Sequence, residues 1–258
     1  SSDLQAWNDP QATFAAAAVP GLAERFTAKE GVFRDPKAEH RMIDYGLYHQ
    51  ELITELPILF CKTVKETWPR PVITGVFHGY LTHIHDMVTG GHLGFRKLLE
   101  SPYVDYLAGP LSYEVDARRL GGSGMLRSAT KSLALHKKLW MNEVDQVTYC
   151  AAVRRQRIEP FHQSTETGTI AALRRNVAQS LVNGQGLWLY DFGVQTGHPG
   201  GFWGEPAYAD EVKKLRALAN TLAEKPYTSP ADVLFVYDPN CFYYLGYQFF
   251  NGRPAGKT

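Results

Sequence analysis

Short apolar runs alternate with helix-length segments from residue 71 onward, and this alternation most constrains the fold. Residues 71–80 (PVITGVFHGY), 104–111, 139–144, 187–192 and 232–237 read as buried strands. Helical spacing fills the intervals at 93–100, 128–136, 167–183 and 209–224. Thr165 or Thr167 caps the third of these helices and Gly184 stops it. Strands separated by helices need crossover connections, so the expected class is α/β with a parallel sheet.

Upstream, residues 1–36 are irregular, punctuated by Pro10, Pro20, Gly21, Gly31 and Pro36. Residues 38–68 carry a helical pattern through Ile43, Leu47, Leu52, Leu56, Leu59, Phe60 and Val64. Pro57 interrupts that run, which implies a kinked helix or two shorter ones. Residues 224–230 (EKPYTSP) read as a linker. The 28 residues beyond Pro230 are too few for an independent domain. The division expected is therefore 1–226 as the main domain and 227–258 as the linker and the start of a second α/β domain.

Composition narrows the partners. Lys plus Arg is 27 and Asp plus Glu is 26, so no basic field favours nucleic acid. No apolar run reaches the roughly 20 residues of a membrane span. Cys61, Cys150 and Cys241 are odd in number and far apart, against a disulfide framework or a Cys-based zinc site. They read as free thiols, in a reducing compartment or buried. The chain opens at Ser1-Ser2-Asp3, so a missing leader says little about the parent protein. Five Trp, 14 Tyr and 13 Phe suit either a bulky core or stacking on sugar faces.

The candidate chemistry sits where strands end. Leu139-Trp140-Met141-Asn142-Glu143-Val144-Asp145 is an apolar run closing on acids, which puts Glu143 at the carboxyl edge of the sheet, where barrel active sites lie. Its bland reading is a loop-capping or Arg-paired acid. The other strand ends bring His78 and Tyr80, then Tyr113 and Glu114, then Asp191 followed by His198 and Trp203. Strand-to-helix loops are polar in any case; convergence on one edge would make a pocket. Glycoside hydrolysis needs two carboxyl groups; Glu143 is one, and Glu114, Asp86 and Asp191 compete for the second. Metal-assisted hydrolysis is the alternative, from His83-Ile84-His85 with Asp86 or Asp191; a lone His-x-His is more often solvated or second to a site. Gly121-Gly122-Ser123-Gly124 is either an anion cradle or a flexible loop. Trp140, Trp188 and Trp203 are candidates for sugar stacking or for the core. Arg118 and Arg119 are candidates for a sugar hydroxyl or for surface ion pairs.

Three stretches then carry a resemblance: the opening Leu4-Gln5-Ala6-Trp7, the strand 138–145 ending in Glu143, and the helix Leu173-Arg174-Arg175-Asn176-Val177-Ala178-Gln179-Ser180 with the aromatic strand after it. In this order they resemble the C-terminal half of the catalytic barrel of glycoside hydrolase family 42 β-galactosidases and related clan-A glycosidases. Residues 231–238 (ADVLFVYD) resemble the start of the α/β domain that follows such barrels. The resemblance implies a partial (β/α)8 barrel of about four βα units and a retaining hydrolase with Glu143 as nucleophile. It implies a carbohydrate substrate bound by Asn142, Tyr113, His78, Asp191 and Trp203, with no cofactor and no metal. Family members carry their acid/base Glu after an Asn at the end of the fourth strand. The one Asn-Glu pair here is Asn142-Glu143 itself, so the acid/base would lie on a missing half. Four or five strands cannot close a barrel. The expectation is thus a fragment of a larger hydrolase or a self-associating half-barrel, with a non-catalytic carbohydrate-binding or structural remnant as the competing class.

Overall fold

The computed structural model describes residues 13, 18–82, 87–88, 90–156, 159–160, 162–191, 201–225, 228 and 231–246. The chain folds as two compact units. One comprises Ser1–Pro69, Ile84–Tyr103 and Val236–Thr258, and the other Arg70–His83 and Val104–Phe235.

In the first unit a short helix α1 (Leu22–Phe26) precedes a long helix α2 (His40–Thr67). The helix continues through Pro57, so two shorter helices do not form. Proline has no N–H, and only the one bond back to Ile53 is forgone. Ile43 of α2 packs with Met87, Leu93 and Tyr243. Gln50 fastens the same face, its Oε1 accepting the Leu93 amide at 2.8 Å and its Nε2 donating to the Val88 carbonyl. Helix α3 (Phe95–Glu100) follows, and Lys97 pairs with Glu51 and Glu55 of α2. A 3-10 turn at Pro239–Tyr244 completes the unit. Leu52, Leu56, Leu59 and Phe60, which the periodicity places on an apolar stripe, stay exposed among the described residues.

The second unit holds the sheet. Strands β1 (Gly75–Phe77), β2 (Tyr106–Pro110), β3 (Leu139–Val144) and β4 (Gly186–Leu189) lie in the order β1-β2-β3-β4, every pair parallel. Helices α4 (Val115–Arg118), α5 (Thr130–Leu135), α6 (Tyr149–Arg154), α7 (Glu166–Val182) and α8 (Pro206–Ala223) complete it. The α/β class and the parallel sheet follow the expectation from alternation, and β3 matches its expected ends. The first and fourth strands are shorter than expected. Thr165 caps α7, its Oγ1 accepting the Gly168 amide at 2.9 Å, and Gly184 ends it at φ +65°, a conformation glycine adopts at no steric cost.

The stretch 232–237 is a correction: it pairs with no strand, and Val233, Leu234, Phe235 and Val236 are each at least 77 % exposed. Its composition is that of a buried strand, but β-propensity describes a fit to a neighbouring surface, and no strand among the described residues supplies one.

One face of the sheet is closed. Leu107, Trp140, Leu133 and Val144 are at most 1 % exposed, and α7 contributes Leu173 and Val177 to the buried set. Between β3 and α7, Asn142 Nδ2 donates to Ser180 Oγ at 3.1 Å and Asn176 Nδ2 to Gln146 Oε1 at 3.0 Å, while Asn142 Oδ1 has no hydrogen-bond partner. The other face stays open. Phe77 is 55 % exposed, and Met141, Glu143 and Trp188 are half-buried.

Truncating Leu107 on the central strand is expected to cost about 2–5 kcal/mol, since no exposed position relaxes into the void. Urea unfolding of the Leu107→Ala variant measures it; a loss near zero would contradict the packing described.

Candidate functional site at the carboxyl edge of the sheet

β3 sends its side chains to alternate faces. Trp140, Asn142 and Val144 are buried, whereas Met141 and Glu143 are half-buried on the open face. Parallel register places Glu143 between Pro110 of β2 and Trp188 of β4. Trp188 is the cross-strand neighbour of Glu143, and its ring meets Phe77 edge-on at 5.7 Å. Burial pushes the Glu143 carboxyl above the usual carboxylate range, and the negative charge of Asp145 adds to the rise; Trp188 and Arg118 oppose it.

Asp145 is held by Arg118 at 2.6 Å. Arg118 is itself buried, and it donates to the Ser112 carbonyl at 2.6 Å and the Leu111 carbonyl at 3.1 Å. This ties the end of β3 to the loop after β2. Tyr113 stands over the pair, with the Arg118 guanidinium 4.5 Å from its ring centroid. Burial, the Asp145 charge and a hydrogen bond to that carboxylate push the Tyr113 hydroxyl up to about 12.

A second arginine completes the edge. Arg127 is 5 % exposed, its guanidinium 4.1 Å from the Tyr113 centroid and 5.5 Å from that of Tyr80. Its carbonyl accepts the Leu81 amide at 2.7 Å and the Thr82 amide at 3.1 Å. Two residues earlier, the Met125 carbonyl accepts the Ser112 amide at 3.0 Å. Residues 125–127 are thereby stitched between the loops that follow β1 and β2. Burial, followed by the Glu143 charge, raises the Tyr80 hydroxyl above its ordinary value.

Of the residues the sequence singled out, the edge gathers Glu143, Tyr113 and Asp145, with Tyr80 and Trp188. Asn142 is corrected: period-two alternation turns it to the closed face, fully buried against α7, away from the face that carries Glu143. His78 is 3 % exposed directly after β1, its amide donating to the Ala108 carbonyl at 3.3 Å. Asp191 follows β4 and accepts the Phe202 amide at 2.8 Å, while Trp203 donates to the Tyr190 carbonyl at 3.2 Å. Trp140 belongs to the core at 1 % exposure. Gly122 and Gly124 donate their amides to the Arg119 and Ala117 carbonyls, so those amides face inward, not toward an anion. Arg119 makes an exposed pair with Asp116. His83, His85, Asp86 and His198 lie outside the described residues. Among the described residues no cluster of three His, Cys, Asp or Glu side chains is arranged around a metal.

Comparison of the chain with protein-family models, curated proteins and solved structures finds no match. No helix among the described residues is long and apolar enough to cross a membrane.

Arg127 is the residue that sequence reasoning missed. Its signal was an arginine just after the Gly-rich loop 121–124, in the connection that follows β2 and carries Tyr113.

In chemical terms the edge presents an acid whose negative charge is costly, an aspartate paired with Arg118 beside it, and aromatic rings on both sides. Such a set favours positive charge developing near Glu143. The raised Glu143 value means its neutral form is favoured by the fold. That contribution is complete below the ordinary carboxyl range and is lost as pH rises through the raised value. Glu143→Gln is therefore expected to melt higher than the parent near about pH 7, with the gap closing near about pH 4. Thermal melts across that range decide; a gap independent of pH would contradict the burial of this acid. Asp145→Asn is expected to destabilise by about 3 kcal/mol, because it strands Arg118 as an uncompensated buried charge. Chemical denaturation at neutral pH measures it, and a neutral effect would show the pair to be idle.

Proposed function

We propose that this chain is the C-terminal part of a (β/α)8 barrel of a retaining glycoside hydrolase, similar to the family 42 β-galactosidases, with Glu143 as the nucleophile. The observation that carries the reading is the place of Glu143: the carboxyl edge of a parallel sheet, on its open face, with Trp188 as cross-strand neighbour. Support also comes from the sheet itself, whose open face exposes Phe77 as the interior of an incomplete barrel would.

In this reading the sugar lies over Trp188, the cross-strand neighbour of Glu143. A carboxylate oxygen of Glu143 attacks the anomeric carbon as the bond to the leaving oxygen breaks, giving a glycosyl-enzyme. The leaving oxygen takes a proton from an acid on the partner half of the barrel. Water then attacks the same carbon, gives its proton back to that group, and releases Glu143. The negative charge of Asp145, fixed by Arg118, stabilises the oxocarbenium character of both transition states. The partner is a missing half-barrel or a second copy that covers the open face and the sheet edges.

A second reading has one observation in its favour. The raised Glu143 value also suits a neutral acid that donates a hydrogen bond within a non-catalytic carbohydrate-binding surface.

An activated 2-fluoro-galactoside separates the two, because it brings its own leaving group and needs no acid. Intact mass and peptide mapping are expected to find one glycosyl adduct, on Glu143. No adduct on folded protein, or an adduct elsewhere, would overturn the hydrolase reading in favour of binding alone.

A further inference from the structure

The two arginines at the sheet edge differ in one respect. Arg118 is satisfied by Asp145 and by the Leu111 and Ser112 carbonyls. Arg127 is equally buried, yet no carboxylate pairs with it among the described residues, and its Nε has no hydrogen-bond partner. Buried guanidinium groups are ordinarily paired, since removing the charge from water is costly. Here the charge rests on two aromatic faces, Tyr113 at 4.1 Å and Tyr80 at 5.5 Å. Those rings hold the cation but leave its donors unused. Burial correspondingly lowers the Arg127 value.

The backbone around Arg127 is fixed by bonds to Leu81, Thr82 and Ser112, so the side chain stands on a rigid base. Tyr80 is placed within electrostatic reach of both Glu143 and Arg127. The acid and the unpaired cation thus bracket one aromatic ring at the same edge.

We infer that Arg127 is a specificity-determining residue that receives a carboxylate of the substrate, so that the site takes an acidic glycoside, a uronide, in preference to a neutral one. This rests on the glycosidase reading for the identity of the ligand as a sugar. A planar carboxylate matches the fork of a guanidinium, and one negative charge balances the one uncompensated cation. A phosphate dianion fits less well, because Asp145 and Glu143 already place negative charge beside the site. The carboxylate at the far side of a pyranose would sit toward Arg127 while the anomeric carbon sits toward Glu143.

The test is equilibrium binding, by calorimetry, to the full chain carrying Glu143→Gln, so that turnover plays no part. The probes are methyl β-galacturonide, its methyl ester and methyl β-galactoside, with the corresponding gluco series and galactose 6-phosphate. The ester keeps the shape of the uronide and removes its charge. The uronide is expected to bind at least about tenfold tighter than its ester and than the neutral glycoside, a bidentate charge-assisted pair being worth about that much. The ratio of uronide to ester affinity is expected to fall to about one in Arg127→Met and to shrink in Arg127→Lys. Equal affinities for uronide and ester, a preference that survives Arg127→Met, phosphate bound as tightly as uronide, or no binding by any probe would each overturn the assignment. If Arg127→Met fails to fold, the uronide and ester comparison on the Glu143→Gln chain decides alone. A Glu143 adduct without uronide preference would defeat this inference and leave the hydrolase reading intact. Uronide preference without an adduct would do the reverse.

Discussion

The two-residue period of β3 is the constraint on which the rest of the structure depends. Because a strand turns successive side chains to opposite faces, Trp140, Asn142 and Val144 must go where Met141 and Glu143 do not. The first set fills the space against α7, with Asn142 bonded to Ser180, and so fixes the register. With that face committed, Glu143 has one place left: the open face, at the end of the strand, across from Trp188. A slip of one residue would bury the acid in the helix layer and expose Trp140.

Electrostatics then sort the charged groups at the edge. Asp145 and Arg118 pair with each other and fasten the end of β3 to the loop after β2. Glu143 has no such cation in direct contact, so its burial appears as a raised pKa. Arg127 has no such anion among the described residues, and aromatic faces hold it instead. A fully paired acid and base beside an unpaired acid and an unpaired base is an arrangement in which a ligand could complete what the fold leaves open. That is the physical ground for treating the edge as a site rather than as a structural ion-pair network.

The sequence made the sheet legible because apolar runs and helical periods alternate without ambiguity from residue 71 onward. It made Glu143 legible for the same reason, as an acid closing such a run. Asn142 misled because adjacency in sequence is opposition in a strand, and a neighbour of the acid is the residue least able to share its face. The stretch 232–237 misled because composition reports what a segment would fit, not whether a partner strand is there. Pro57 left a kinked helix or two shorter ones open, and α2 runs through it as one helix at the loss of one bond. Arg127 could not be read at all: its meaning lies in the pairing it lacks, and pairing is visible only once Tyr80 and Tyr113 are brought beside it from two other loops.

The central claim is that a sugar reacts at Glu143, and the most direct measurement is a crystal structure of the Glu143→Gln variant soaked with methyl β-galactoside. The account expects the pyranose at the carboxyl edge, stacked on Trp188, with its anomeric carbon about 3–3.5 Å from the amide oxygen that replaces the carboxylate. A sugar bound elsewhere, or bound at the edge with its anomeric carbon turned away from that oxygen, would contradict it.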